Sequence, residues 1–507
     1  MELQILLTLA TLVVGGGDRV IDNVAWRADI TEAAATIREH HPRPFRTVSE
    51  DDFDRILEAL LRDVPNLADK EIIVRLAALV ALVDDGHTRL SIPRQHPEIG
   101  LEFGHTPTTA PEFEGLAFSQ LPVAFEKFED GVFVVAASAE HAELIGQEVT
   151  AVDGMPIDDA LATVQAITFA ENSQLEALMG VDRLTLPEAL VALGIGESAE
   201  SVTLDLGNGG RFTLKPLSGD HYEWVTSFDS GLPPLRYENP DEEFWAQHIA
   251  DGNFVHMQMD EITDSDIPLA EFVAKTLAMA EEKDARLVID IRNNFGGSGG
   301  LNKTLVMSLI QSKELNQYDR AFVLTGRRTF SAAQMLVNEL EQYTRVSLVG
   351  EPTGSRPDHF GDPKKVQLEH SGLTLRVSRL HWSSYGAFDD REASNPDFPA
   401  AWTSSDYFSG HDPALELAIA LQDISLESLL RNALARRDLH QVGRYTLDSK
   451  RSPGTYETDF SDLLLTLGNE ALASGDTDIA SFAYQVGLYF YPQHAGLREA
   501  LEGIDEP

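Results

Sequence analysis

The sequence predicts a multidomain α/β protein, and two observations carry that expectation. Its 507 residues exceed what one hydrophobic core usually organises. Between Asn253 and Leu421, short apolar strand patterns alternate with helical patterns of about 10 to 14 residues, as in strands joined by crossovers into a layered sheet.

Within that segment the periodicity predicts strand Phe254–Met259, helix Leu269–Glu282, strand Arg286–Ile291, helix Asn302–Ile310, strand Ala321–Leu324, helix Ala332–Glu341 and strand Val346–Gly350. A catalytic core is expected over 231–425. Upstream, Ile30, Ala33, Ala34 and Ile37 recur at helical spacing, and Ile72 to Leu82 form an apolar face, so 23–97 reads as a helical subdomain. The stretch Glu98 to Glu114 lacks periodicity and reads as a connector. Two strand patterns flank Asp130-Gly131, a hairpin signal, and a strand, a turn and a helix reaching Ile167 follow. The order around Val152-Asp-Gly-Met-Pro-Ile157 resembles a PDZ domain, and a PDZ-like β-rich unit is expected over 115–230. The tail, 426–507, turns helical, and Leu467 to Pro492 resembles one tetratricopeptide hairpin.

Composition narrows the function classes. A hydrophobic share of 43% with 24% charged residues is that of a globular protein. A net charge of −43 argues against nucleic acid as a partner, because phosphate neutralisation needs clustered Lys and Arg. With no cysteine there is no disulfide, thiolate nucleophile or Cys-based zinc site. No His-Glu-x-x-His pattern and no Gly-rich nucleotide loop with its Lys appears, so neither metal nor cofactor is expected. Residues 1–22 open on an apolar stretch of signal-peptide length, although Glu2 stands where basic residues are usual. Export to a periplasm or outside the cell is the expectation, a short buried helix the alternative. No later run reaches the ~18 apolar residues of a membrane span.

Two segments carry chemistry. In Leu287-Val-Ile-Asp-Ile-Arg-Asn-Asn-Phe-Gly-Gly297, a strand runs into a polar turn and a glycine pair whose free φ angles leave amides open to an anion. In Leu324-Thr-Gly-Arg-Arg-Thr-Phe-Ser-Ala-Ala-Gln334, Ser331 stands at the start of a helix. Taken singly, the first is an ordinary turn and the second a plain N-cap.

Together they resemble the tail-specific, C-terminal-processing serine peptidases, whose core carries Asp-x-Arg-x-Asn-x-Gly-Gly and, one strand later, Ser-Ala-(Ser/Ala)-Glu. Here these stand as Asp290, Arg292, Asn294, Gly296, Gly297 and Ser331-Ala-Ala-Gln334, with Gln in place of the commoner Glu. The resemblance continues through Gly350-Glu-Pro-Thr-Gly-Ser-Arg-Pro357 to Asn395-Pro-Asp397 and Asp412-Pro-Ala-Leu415. It implies a crotonase-like α/β core, a polypeptide substrate and Ser331 as nucleophile. Ser-Lys members place their base where this sequence has Arg356, and a guanidinium stays protonated. The tricorn-like branch uses a histidine instead. Leu82-Val-Asp-Asp-Gly-His-Thr-Arg-Leu90 supplies its Gly-His-Thr signature, so the resemblance makes His87 the base, with an ordinary imidazole pKa near ~6.5. It places the third member in Tyr385 to Asp397, at Asp390, with Glu392 or Asp389 as alternatives. The amides of Gly297 and Ala332 are the expected oxyanion donors.

Two rival readings stand beside this one. Gly296-Gly-Ser-Gly-Gly300 formally fits a hydrolase elbow, but Ser298 lies too far past the strand end. A catalytically silent peptide- or ligand-binding scaffold of the same fold is the other, since folds do not fix function.

Overall fold

The segment from Phe244 onward builds a six-stranded sheet, in a computed structural model that describes residues 20–95, 115–218, 223–228, 234–383, 389–451 and 460–505. In spatial order its strands are β18 (Phe398–Pro399), β13 (Ser347–Gly350), β12 (Ala321–Thr325), β11 (Arg286–Asp290), β10 (Phe254–Met259) and β9 (Phe244–Ile249). All run parallel except β9, which pairs antiparallel with β10. The parallel steps are bridged by helices α7 (Leu269–Glu282), α8 (Asn302–Gln311) and α9 (Ala332–Tyr343).

Both faces of this sheet are buried, yet the two-residue pleat still sorts the side chains. Val255, Met257, Leu287, Ile289, Val323 and Leu348 pack against Phe272, Leu277, Leu309, Leu336 and Leu340 of the three helices. Phe254, Val288, Phe322, Leu324 and Val349 face the opposite way, onto Ala414, Leu415 and Ala418 of α11 (Pro413–Ala420). Six of the seven elements expected in this segment end within one residue of their expected bounds, and α9 runs two residues longer.

The N-terminal helices α1 (Asn23–His40), α2 (Glu50–Asp63) and α3 (Asp69–Ala81) bury Trp26, Ile30, Ile37, Phe53, Leu60, Ile72 and Leu79. The same apolar cluster takes in the hairpin β2 (Val123–Phe128) and β3 (Gly131–Ser138), and the small sheet containing β4 (Val149–Val152) and β6 (Val202–Leu206). The helical and β-rich stretches thus share one core. That core also receives Leu368, Leu373, Leu375 and Val377 from the hairpin β15 (Lys364–Gln367) and β16 (Thr374–Val377). Antiparallel pairing of β16 with β1 (Arg89–Leu90) ties the chain just after His87 to that hairpin of the larger unit.

The tail forms helix pairs Leu426–Ala435 with Leu439–Arg451 and Ser461–Ala473 with Thr477–Phe490, followed by Ala495–Asp505. The tetratricopeptide-like hairpin seen in the sequence is the second pair. The apolar opening segment and the connector over 98–114 lie outside the described residues. Among the described residues, no helix is long and apolar enough to cross a membrane.

One ionic cluster fixes the sheet's C-terminal edge. Arg292 donates to both carboxylate oxygens of Asp290, at 3.0 Å to Oδ1 and 2.6 Å to Oδ2, and forks onto Asp412, at 2.7 Å to each oxygen, all three side chains being buried. Asp412 also caps α11 through the Leu415 amide. Burial would raise the Asp412 pKa, but Arg292 outweighs it and holds the group at about 2. Asp412 therefore stabilises the fold above the ordinary carboxylate range, and that contribution fades as pH falls toward 2. Arg292→Ala leaves two buried carboxylates unpaired and is expected to cost about 3 to 5 kcal/mol in urea unfolding. A loss below ~1 kcal/mol would show that the cluster does not hold the edge.

Candidate active site

Ser331 occupies the turn between β12 and α9 with φ +58° and ψ −120°, a conformation that costs a non-glycine residue. It sits at the N-cap of α9, yet its hydroxyl makes no capping hydrogen bond. The hydroxyl instead meets His87 Nε2 at 2.8 Å, bridging 244 residues of sequence.

The turn is clamped from two sides. The Asn294 carbonyl accepts from Phe330 N–H at 3.1 Å, while the Asn294 side chain donates to Met259 O and accepts from Gly296 N–H, each at 2.9 Å. A Cβ at Gly296, whose φ is +115°, would lie 2.8 Å from Ser331 Cβ and 3.1 Å from Ala332 N. Only glycine fits that approach. On the other side Gly354 N–H donates to Thr329 O at 3.1 Å, and Thr329 Oγ1 bonds Ile291 O at 2.9 Å. Among the described residues, the N–H groups of Gly297 and Ala332 donate to no protein acceptor. Both amides stand beside the nucleophile turn.

His87 is held with equal care. A Cβ at Gly86 would meet the Phe330 ring at 2.7 Å, so the Asp-Gly-His order lets the chain pass over that ring. The imidazole stacks on Phe330, with centroids 4.5 Å apart and planes 24° apart, and lies 6.0 Å from the His359 ring. Its Nδ1 is buried and lies 3.9 Å from Asp85 Oδ1, beyond hydrogen-bond distance.

Asp85 is fully enclosed by donors. Its Oδ2 accepts from the hydroxyls of Thr88 and Ser378, each at 2.5 Å, and meets His41 Nε2 at 3.2 Å, while Oδ1 takes the His87 N–H at 2.9 Å. His41 Nδ1 accepts from Arg43 N–H, which leaves its Nε2 as the donor to Asp85. Burial alone would raise the Asp85 pKa, but His41, His87, Ser378 and Thr88 together push it well below the carboxylate range. A second carboxyl, Glu171, lies in the same cluster, its oxygen within 4.8 Å of a ligand atom of Asp85 and of His87. Burial first, and the Asp85 charge second, raise the Glu171 pKa to about 8. Two neighbouring carboxyls are thereby driven apart, one ionised and one protonated. Burial also lowers the His87 pKa to about 3, against the opposing pull of Asp85, so the ring is neutral at physiological pH.

Asp85, His87 and Glu171 are, among the described residues, the one acidic and histidine trio compact enough to hold a metal ion. Both carboxyls of the trio already accept hydrogen bonds within the protein. Asp85 accepts four hydrogen bonds, and Glu171 accepts from the Ser355 hydroxyl and from Arg356 N–H.

No protein-family profile matches the sequence, and no curated protein is similar to it. Solved structures do resemble the fold. Mature CPAF complexed with lactacystin superposes with a TM-score of 0.52 at 14% identity, covering 78% of this chain and 97% of that one. Mature CPAF alone gives the same TM-score and identity, with 78% and 96% covered. The photosystem II D1 C-terminal processing protease aligns over 77% of this chain and 98% of its own, with a TM-score of 0.37 and 15% identity. This chain shares its fold with mature CPAF.

Of the residues singled out from the sequence, the structure brings Ser331 and His87 into contact and sets Gly297 and Ala332 beside them. Asp390 is not part of this cluster: it is exposed and lines a groove between the sheet domain and the tail helices. Asp389 pairs with Arg391, and Glu392 with Arg356 at 2.9 Å. The carboxylate beside the imidazole is Asp85. It stands two residues before His87 in the sequence, within the segment Leu82–Leu90 that carries the histidine. Glu171 gave no sequence signal. Ser298 is exposed in the glycine loop, Lys364 reaches His40 at 2.8 Å, and Gln334 is buried, donating to Asn338 and Ser394.

The protonated Glu171 makes stability depend on pH in a defined direction. The folded chain holds this proton up to about pH 8, whereas an unfolded glutamate releases it near 4.5, so stability is lost as pH rises through that window. Glu171→Gln mimics the neutral acid. The variant's unfolding free energy relative to the parent should therefore rise between pH 5 and pH 8. A difference that stays flat over that interval would show that Glu171 is ionised in the fold.

Proposed function

We propose that this protein is a serine peptidase acting on unfolded or C-terminally presented polypeptides through an acyl-enzyme. The observation that carries the reading is the 2.8 Å contact of the Ser331 hydroxyl with His87 Nε2, made by a serine that forgoes capping its own helix. In this mechanism the neutral imidazole takes the Ser331 proton as the oxygen attacks the substrate carbonyl, then returns it to the leaving amine. Nε2 is the accepting atom, so the ring proton resides on Nδ1, facing Asp85. The Asp85 carboxylate stabilises the imidazolium as it forms and takes the third role in place of Asp390. The amides of Gly297 and Ala332 receive the developing oxyanion, at about 3 kcal/mol per donor.

The same reading assigns 231–425 to a crotonase-like catalytic core and 115–230 to a PDZ-like unit that offers a strand edge to an extended substrate. The β2–β3 hairpin and the helix Ile157–Val164 after the Asp153-Gly154 turn support that unit. Export from the cytoplasm fits the apolar opening segment.

Incubation with a fluorophosphonate probe, and with a mixed peptide library read by mass spectrometry, tests the assignment. Ser331→Ala should lose both labelling and cleavage, by several orders of magnitude, with His87→Ala close behind. Asp85→Asn should lower kcat strongly, whereas Asp390→Asn should leave it unchanged. A parent protein that neither labels nor cleaves would point to a silent peptide-binding scaffold.

The pH profile follows from the burial of His87. Activity requires the neutral ring and is lost as pH falls through its folded pKa, which lies near 3 rather than at the ordinary ~6.5. The acid limb of kcat/KM should therefore fall below pH 6. A midpoint at 6.5 or above would show that the ring is solvated in the working enzyme.

A further inference from the structure

Two exposed apolar side chains stand beside the base, on a hairpin to which the proposed mechanism assigns no role. Strands β14 (His359–Gly361) and β17 (Leu380–Trp382) pair antiparallel, with His359 opposite Trp382 and Gly361 opposite Leu380. The inner strand is buried and carries the His359 ring, 6.0 Å from the His87 imidazole. The outer strand is open to solvent: Leu380 is 43% and Trp382 37% exposed. Lying two residues apart on one strand, they share a face.

Gly361 sets how closely the indole approaches the base. Its φ lies outside the left-handed region, so the backbone does not demand a glycine there. Space does: a Cβ at this position would lie 3.2 Å from Trp382 Cδ1 and Nε1 and 3.8 Å from His87 Cε1. The edges of the indole and of the imidazole thus border the same small space, which the missing side chain leaves open. An apolar group of a ligand laid against such a wall gains by leaving water.

The reaction decides which part of a substrate comes to this wall. In the tetrahedral intermediate the former carbonyl carbon bears Ser331 Oγ, the oxyanion, the acyl-side chain and the leaving nitrogen. The oxyanion turns to the amides of Gly297 and Ala332, and the leaving nitrogen must face His87 Nε2 to receive its proton. The residue that carries this nitrogen is therefore the one drawn over the imidazole. We propose that Trp382 walls a subsite for the side chain immediately after the scissile bond and selects a large apolar residue there, with Leu380 extending the same surface. The inference rests on the peptidase reading of Ser331 and His87 and names the substrate feature that the reading leaves open. A leucine or phenylalanine covers the indole, whereas glycine leaves it wet and aspartate would give up hydration against an apolar surface.

Digestion of a randomised peptide library by the full-length protein, with the residues on both sides of each cut read by mass spectrometry, tests the subsite. Large apolar residues should be enriched after the scissile bond by about 10-fold or more over Gly and Asp. Trp382→Ala should collapse the ratio of kcat/KM values between matched Phe and Gly peptides toward unity, and Trp382→Phe, which keeps a ring, should retain most of it. A ratio measured within one protein sample is not imitated by partial loss of folded enzyme. Fluorophosphonate labelling of Ser331 separates the two ways of failing. A parent that neither labels nor cleaves overturns the peptidase reading and the subsite with it. A parent that labels and cleaves, but whose enrichment is absent, lies before the cut or survives Trp382→Ala, overturns the subsite alone.

Discussion

The proposed chemistry depends on one contact, the hydrogen bond between Ser331 and His87. Its two ends belong to different cores, one built on the six-stranded sheet and one on the N-terminal helices. A single hydrogen bond contributes only about 1 kcal/mol and cannot hold two such bodies in register. The alignment comes from elsewhere, from a hairpin that leaves the sheet domain, pairs with the strand following His87 and buries Leu373, Leu375 and Val377 in the other core. Ser378, the next residue on that hairpin, donates to Asp85. The element that docks the two halves thus also supplies a hydrogen bond to the carboxylate beside the base.

The Asp290-x-Arg292-x-Asn294-x-Gly296 stretch works as scaffolding rather than chemistry. Arg292 ties the end of β11 to the cap of α11, Asn294 straps the turn to β10 and to Phe330, and Gly296 yields the space Ser331 occupies. Each fixes a backbone position, and together they hold Ser331 in a conformation that would otherwise relax. The hydroxyl is presented to His87 without the help of a capping bond, which would have directed it toward its own helix.

How much of this was legible in the sequence follows from the range of the interactions. The central sheet could be read because its strands and helices are long, periodic and local in pattern, and their ends moved by only a residue or two. His87 and Ser331 could be read because short motifs mark tight turns whose glycines have a physical cause. Asp390, expected beside His87 from its distance to Pro396, lies elsewhere, because distance along the chain says nothing about which face of the fold a loop reaches. Asp390 lies toward the tail helices, in the groove that Tyr343, Arg345 and Leu439 also line. Glu171 was invisible for a related reason: a single acid before Asn172, itself the cap of a helix, carries no pattern, and its protonation arises only from burial beside Asp85.

Arg356 has a structural task. At this position the chain uses backbone and guanidinium alike to fix the segment that bears Glu171. Arg356 N–H reaches the Glu171 carboxyl at 3.0 Å, its Nε reaches the Glu171 carbonyl, and its outer nitrogen pairs with Glu392. A permanently charged group is suited to that work and unsuited to taking a proton. In the proposed mechanism the basic function falls to an imidazole that burial keeps neutral, and the charge needed to stabilise its protonated form sits on Asp85, since Glu171 holds its proton. On that reading, division of labour between the two carboxyls, one charged beside His87 and one neutral within the core, is what lets a buried histidine serve as the base.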